Sequence, residues 1–219
     1  MLKLPVEKFP ALETIEAVEH GFVTRVPGID IKTDRATALS RLEKWHMAAR
    51  EAFGRRAFRT ASQVHGRRVV SVNSQSAPQV IGADALVTKD PDVLLGIYVA
   101  DCCAIFLADP KSALIGLVHS GRKGSELNIV GEAVRLMCAD FGSNPSDIVA
   151  QLSPCIRPPF YEVDFASTIV SQLESEGVSK INDSGANTGA DLKTYYSYRM
   201  EKGKTGRMLA MLALRKQHG

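Results

Sequence analysis

Val93-Leu-Leu-Gly-Ile-Tyr-Val-Ala-Asp-Cys-Cys-Ala-Ile-Phe-Leu-Ala-Asp109 decides the fold. This is the longest apolar stretch of the chain, and it is too interrupted for one helix. It reads as a strand, a kink at Asp101-Cys102, then a second strand over 103–108. Ala113–His119 supplies a further strand after it, and β-like runs at 57–63, 68–73 and 84–88 precede it. HGFVTR at 20–25 reads as a strand, whereas residues 1–32 are otherwise short apolar pieces broken by Pro5, Pro10, Pro27 and Gly28.

Helices alternate with these strands. Asp34 is a fair N-cap for a helix over 34–53, in which Ala38, Leu42, Trp45, Ala49 and Phe53 fall at helical spacing and Gly54 lies just past the end. A second helix is expected from about Glu126 to Phe141, stopped by Gly142, and a short one over Phe165–Glu176, closed by Gly177. Ile148–Leu152 reads as a strand and NDSGANTGA at 182–190 as a polar loop. Tyr195–Met200, a GKTG turn and Met208–Leu214 read as two strands in a closing hairpin. With no internal repeat and no linker, residues 1–219 are expected to form one domain of the α/β (mixed α+β) class with mixed sheets.

Composition narrows the function. At 45% hydrophobic and 23% charged residues, the chain has the make-up of an ordinary globular protein, and 219 residues can bury a sizeable core. A net charge of +3 gives no case for a nucleic-acid partner, which would call for basic residues massed on one element. No apolar run reaches the ~20 residues that cross a bilayer, so no membrane partner is expected. MLKLPVEKFPALE lacks the apolar core of a signal peptide, which makes the cytoplasm the expected compartment. The four cysteines, Cys102, Cys103, Cys138 and Cys155, form no CxxC pair, and in the cytoplasm they stay reduced.

Two histidines and a cysteine carry the chemistry. His65 in Gln63-Val64-His65-Gly66, Cys102 in Ala100-Asp101-Cys102 and His119 in His119-Ser120-Gly121 each stand at the edge of a strand-like run, where side chains can converge at a sheet end. Two imidazoles and one thiolate suit a zinc-like ion, and three protein ligands leave a fourth position open for chemistry. Taken singly, each residue also fits a duller role: a hydrogen-bonded structural histidine, or a small buried hydrophobe in the case of cysteine. His119-Ser-Gly-Arg-Lys-Gly124 lies between a strand and a helix and carries a basic pair between two glycines. It suits either an anion pocket or a tight turn needing positive φ.

QVHG at 63–66, ADALVT at 83–88, LGIYVADCCAIFLAD at 95–109, HSGRKG at 119–124, SPCIRPPFYEV at 153–163 and YYSYRMEKGKTGRM at 195–208 fall in order along the chain. Together they resemble the laccase-domain family, once called multicopper polyphenol oxidases. Its members are described as purine nucleoside phosphorylases with adenosine deaminase activity, and one branch as a peptidoglycan editing factor. The resemblance runs from about His20 to Leu214. It implies that His65, Cys102 and His119 match zinc ligands, and that the domain has layered sheets with flanking helices, distantly similar to a class of cysteine hydrolases. The chain also departs from the family. HSGRKG stands for the usual HAGWRG, so Arg122 replaces an aromatic surface and Lys123 an arginine fork. SPCIR stands for IGPxIG, the region between Tyr161 and Tyr195 is shortened, and an Asn-Leu-Gly stretch and a cysteine before the end are missing.

The leading expectation is therefore a zinc-dependent enzyme acting on purine nucleosides, with nucleoside and phosphate as small-molecule partners. A zinc-activated water could attack C6 of adenosine. Phosphorolysis would instead need phosphate held beneath the ribose C1′ by Lys123, Arg122 or Arg207. Asp101, next to a ligand, would orient it, relay protons or cap the strand break. Three other readings stand beside this one: a copper-dependent polyphenol oxidase, a cysteine hydrolase acting on a peptidoglycan precursor, and a metal-stabilised binding module. A His₂Cys set suits copper as well as zinc. A multicopper cluster, however, needs more imidazoles than His20, His46, His65, His119 and His218 offer.

Overall fold

Alternation along the central strands sorts the molecule into layers. The computed structural model describes residues 4–54 and 56–216. In chain order its elements are β1 (Val6–Glu7), α1 (Pro10–Glu13), β2 (Val18–Val23), α2 (Arg35–Glu51), β3 (Ala57–Ala61), β4 (Val69–Ser71), β5 (Gln79–Val80), β6 (Ala85–Thr88), β7 (Val93–Val99), β8 (Cys103–Asp109) and β9 (Leu114–Ser120). There follow α3 (Arg122–Glu126), α4 (Ile129–Phe141), β10 (Val149–Leu152), α5 (Phe165–Ser175), β11 (Lys180–Asp183) and β12 (Met208–Leu214). The strands build two six-stranded mixed sheets, in the orders β1-β2-β12-β7-β3-β5 and β11-β10-β8-β9-β6-β4.

Successive side chains on a strand point to opposite faces, so each central strand serves two cores. Leu95 and Ile97 of β7 and Ala210 and Leu212 of β12 meet Phe106 of β8 and Leu117 of β9 between the sheets. Leu94, Leu209 and Met211 turn outward under Ala49 at the end of α2 and Phe53 beyond it. Ile105, Leu107 and Val118 turn the other way, under Val134 and Met137 of α4 and Ile169 and Leu173 of α5. The result is helix, sheet, sheet, helices. Being covered on both faces, β7, β8 and β9 need near-continuous apolar runs, which is what the sequence provides. Gly96 is glycine because the Phe58 ring lies on it: a Cβ there would stand 2.4 Å from the ring.

The expected strand, bend and strand of 93–109 are present, and the bend carries the chain from the first sheet to the second, since β7 lies in one and β8 in the other. Three expectations need correction. The closing hairpin does not form: residues 195–200 are turn and loop, and β12 pairs antiparallel with β2 and β7 in the middle of the first sheet. Here tertiary packing overrides the strand propensity of the tyrosines. Tyr196 is fully buried, its hydroxyl accepts from Val26 N at 3.0 Å, and Asp101 takes the Arg199 amide at 2.7 Å. The helix expected from Glu126 is two helices: Asn128 sits at φ 54°, in the left-handed region, and caps α4 by accepting from Gly131 N. The polar loop begins later than expected, because Lys180–Asp183 adds a parallel edge strand beside β10. Among the described residues, no helix is long and apolar enough to cross a membrane.

Candidate metal centre

The three expected ligands come together where the chain passes between the sheets. His65 lies in the crossover from β3 to β4, Cys102 in the bend from β7 to β8, and His119 near the end of β9. One nitrogen from each ring and the Cys102 sulfur all lie within 4.8 Å of one another. Cys102 Sγ is 3.8 Å from His65 Nε2, and the two imidazole rings stand edge to face with centroids 4.9 Å apart. Bonds of ~2.0–2.3 Å to a tetrahedral ion require donor separations of roughly 3–4 Å, so the group could hold a metal ion with little movement. His65 is exposed, Cys102 half-buried and His119 buried, which leaves one side of the group open to solvent.

A residue with no assigned role in the sequence reading holds two of these ligands. The Asp84 carboxylate, fully buried just ahead of β6, accepts from His119 Nδ1 at 2.9 Å and from three consecutive backbone amides: Val64 at 3.2 Å, His65 at 2.9 Å and Gly66 at 2.8 Å. Binding Nδ1 of His119 turns its Nε2 toward the centre, the arrangement by which a carboxylate orients a metal-binding imidazole. Burial opposes ionisation of Asp84, but the bonds from His119 and the Gly66 and His65 amides hold its carboxyl below the usual range. The visible signal was an acid at the head of the apolar run ADALVT, where a charge is costly without partners.

The His65 loop is shaped by that carboxylate and by a second clamp. Gln63 and His65 both have left-handed φ, 62° and 60°, a conformation costing roughly 1–2 kcal/mol per residue. Gln63 offsets its share by pairing with Tyr98 like a strand neighbour: its Nε2 donates to Tyr98 O at 2.6 Å and its Oε1 accepts from Tyr98 N at 3.1 Å.

In the absence of metal, the centre is a polarised pair. Burial alone would raise the Cys102 thiol, but the His119 charge and hydrogen bonds from both imidazoles bring it down to about 6. Burial would likewise depress His119, yet the Cys102 thiolate and the Asp84 carboxylate lift it to about 9. The sulfur is thus poised as a thiolate, the form that ligates metal or attacks carbon.

Asp101 has φ 81° at the bend, and both carboxylate oxygens are occupied: Thr188 Oγ1 donates to one and the Arg199 amide to the other, each at 2.7 Å. Cys103 points away from Cys102 into the second-sheet core, its sulfur 3.6 Å from the Ser153 carbonyl. Gly121 does not serve a positive-φ turn, since its φ is −117°. It is glycine because a Cβ would stand 2.5 Å from Cys102 Sγ. The centre opens onto a cleft of about 820 Å³, whose lining includes Lys123 and Arg207, placed in the sequence as phosphate-binding candidates. Tyr98, Tyr161 and Tyr198 also line it, so the cleft has aromatic faces although the HSGRKG motif carries none. His20 and His46 are committed elsewhere: His20 Nε2 accepts from Phe9 N at 2.7 Å, and His46 is buried behind Tyr98. His218 lies outside the described residues.

Known proteins share this arrangement of chain. A sequence model described as multi-copper polyphenol oxidoreductase laccase matches residues 32–168 and 161–215. A protein of Deinococcus radiodurans named purine nucleoside phosphorylase is 32% identical, over 99% of this chain and 95% of its own length. The purine nucleoside phosphorylase YlmD of Bacillus subtilis is 28% identical, over 71% and 70% of the two chains. Among solved structures, YlmD from Geobacillus stearothermophilus superposes with a TM-score of 0.80 at 25% identity, covering 95% of this chain and 94% of that one.

Proposed function

This chain belongs to the multi-copper polyphenol oxidoreductase laccase family, and from that premise we propose that it is a zinc-dependent purine nucleoside phosphorylase whose site also deaminates adenosine. The names of its relatives support the substrate class. The observation that carries the reading is the placement of His65, Cys102 and His119 at the head of a cleft lined by cations and tyrosines. A zinc ion held there supplies Lewis acidity to the bound reactant. A multicopper oxidase is disfavoured because, among the described residues, no further imidazole reaches the cluster.

The protein's own groups supply the rest. The tyrosines offer faces for the purine, worth ~1–3 kcal/mol per stacked base. Lys123, exposed at the start of α3, holds inorganic phosphate beneath the ribose, and Arg207 adds positive field across the cleft. In phosphorolysis a phosphate oxygen bonds to C1′ as the C1′–N9 bond breaks, and the base leaves with that electron pair and takes up a proton. Asp101 acts by position: with both oxygens spent on Thr188 and Arg199, it fixes the bend that presents Cys102.

The test is an assay of apo, zinc-loaded and copper-loaded protein against adenosine and inosine, with and without phosphate. Zinc-dependent release of base that needs phosphate is expected. Lys123→Ala should raise the phosphate concentration required, leave zinc content unchanged and spare deamination. Phosphorolysis indifferent to Lys123 would move the anion elsewhere. One observation favours a second reading, a cysteine hydrolase: the Cys102 sulfur lies within 4.8 Å of a His119 ring nitrogen, and His119 is hydrogen-bonded to Asp84 at 2.9 Å, an array of the nucleophile, base and orienting-acid type. Cleavage of a muropeptide precursor by chelator-treated protein would select it.

A further inference from the structure

Six cations line the cleft: Arg199 and Lys202 lie on the loop before β12, and the other four divide between the two sheets. Arg122 and Lys123 open α3, which follows β9 of the second sheet. Arg207 immediately precedes β12 of the first sheet, and Arg35 is the first residue of α2, which packs on that sheet's outer face. All four line the cleft.

They also differ in how their charge is met. Arg122 is paired with Glu126 at 2.9 Å, and Arg199, a further lining residue, with Glu162 at 3.2 Å. Among the described residues, Arg35 and Arg207 have no carboxylate partner. Arg207 is partly buried, and its Nη1 donates to the Thr205 and Gly206 carbonyls at 2.9 and 2.8 Å. Those bonds fix one edge of the guanidinium, whose centre stands 5.7 Å from the Tyr198 ring centroid, and leave the other edge unbonded. Tyr198, Cys102 and Asp101 lend Arg207 a partly offsetting negative field, but Asp101 spends its two oxygens on Thr188 and the Arg199 amide and forms no ion pair with it. Burial works against the charge of Arg207, and the nearby positive charge of Arg35 adds to that penalty. Two such arginines beside one another are stabilised when an anion lies between them, and a guanidinium edge suits two phosphate oxygens at once.

Lys123, on the second-sheet side of the cleft, already provides for one phosphate under the phosphorylase reading, whereas Arg35 and Arg207 belong to its first-sheet side. We propose that Arg35 and Arg207 form a second anion subsite for a phosphate monoester carried by the substrate, so that purine nucleoside 5′-monophosphates bind this cleft alongside inorganic phosphate. The inference rests on the phosphorylase reading for the purine and for the first phosphate. Arg35 is a specificity-determining residue in this arrangement, because it meets the ester and not the reacting carbon.

The experiment is calorimetric titration of zinc-loaded protein with 9-deazainosine, whose C–C glycosidic bond and missing 6-amino group block both reactions, and with its 5′-monophosphate, each with and without saturating inorganic phosphate. The nucleotide should bind about tenfold or more tightly than the nucleoside, the worth of one charge-assisted contact, and should keep that advantage when phosphate is present. Arg35→Ala, at an exposed position, should shrink the ratio to about threefold or less, and Arg35→Lys should restore part of it. Equal affinity for the two ligands, a ratio unmoved in Arg35→Ala, or an advantage abolished by inorganic phosphate would each overturn the second subsite. Adenosine phosphorolysis with no nucleotide preference would remove this subsite alone. A nucleotide preference that depends on Arg35, in a protein that cleaves no nucleoside, would remove the phosphorylase reading and leave the subsite standing.

Discussion

Replacing Asp84 by asparagine should separate the carboxylate's two duties at the metal centre. Oδ1 accepts from His65 N and His119 Nδ1, and Oδ2 from Val64 N and Gly66 N, all at 2.8–3.2 Å in a fully buried position. An amide offers one acceptor oxygen and one NH₂ donor, so either orientation sets a donor against two N–H groups. With NH₂ at the Oδ2 position, the Val64 and Gly66 amides lose their partner. With NH₂ at the Oδ1 position, His119 must accept at Nδ1, which places its proton on Nε2 and blocks that atom as a ligand. Each buried donor left unmet costs roughly 1–3 kcal/mol, so Asp84→Asn should destabilise the protein by roughly 2–4 kcal/mol. Loss of an orienting carboxylate should weaken metal binding by about 10–100-fold. Chelator competition reads the metal affinity, and urea denaturation of the apo protein reads the stability. In a His119→Ala background the same substitution should weaken metal binding far less, because one route of its action is already gone. Wild-type zinc affinity in Asp84→Asn would refute the reasoning.

Cys102→Ser should remove most of the bound zinc. Cys103→Ser, which places a hydroxyl in the second-sheet core beside the Ser153 carbonyl, should instead cost about 1–2 kcal/mol of stability and leave zinc content intact, as metal analysis and denaturation of the two variants will read. His46 is fully buried, and burial together with the Arg50 charge holds it down to about 4, against a weaker upward pull from the Arg207 backbone. The unfolded chain then binds the extra proton between pH ~6.5 and ~4. The stability owed to the neutral ring is complete above that window and declines as pH falls through it, by roughly 3 kcal/mol in all. His46→Leu should flatten this part of the stability profile in denaturation series at stepped pH, and a profile unchanged by the substitution would show that the ring is not held neutral.

Local chemistry made much of this molecule readable. The apolar run of 93–109 announced two strands and a bend, because covered central strands must be apolar on both faces. Asp34 and the spacing behind it placed α2 correctly, with its side chain capping Thr37 N. His65, Cys102 and His119 were recognisable because each stands beside a strand end. What was hidden depends on distant chain. Nothing local tells that β7 and β8 belong to different sheets, or that β12 inserts between β2 and β7. The Tyr195–Met200 segment has strand-like residues, yet Tyr195 and Tyr196 serve the core, Tyr198 lines the cleft, and its amides serve Asp101 and Glu201. Asp84 is local to neither histidine: its partners lie 18 to 20 residues before it and 35 residues after it. The cleft's tyrosines and the company of Arg35 and Arg207 likewise come from segments far apart in sequence.

The most direct test is phosphorus NMR of adenosine incubated with inorganic phosphate and zinc-reconstituted protein, beside the chelated protein and Cys102→Ser. The expected result is a new ribose 1-phosphate resonance that grows with the zinc-loaded wild type and with neither control. Zinc-loaded wild type that forms no ribose 1-phosphate, or equal formation in all three samples, would contradict it.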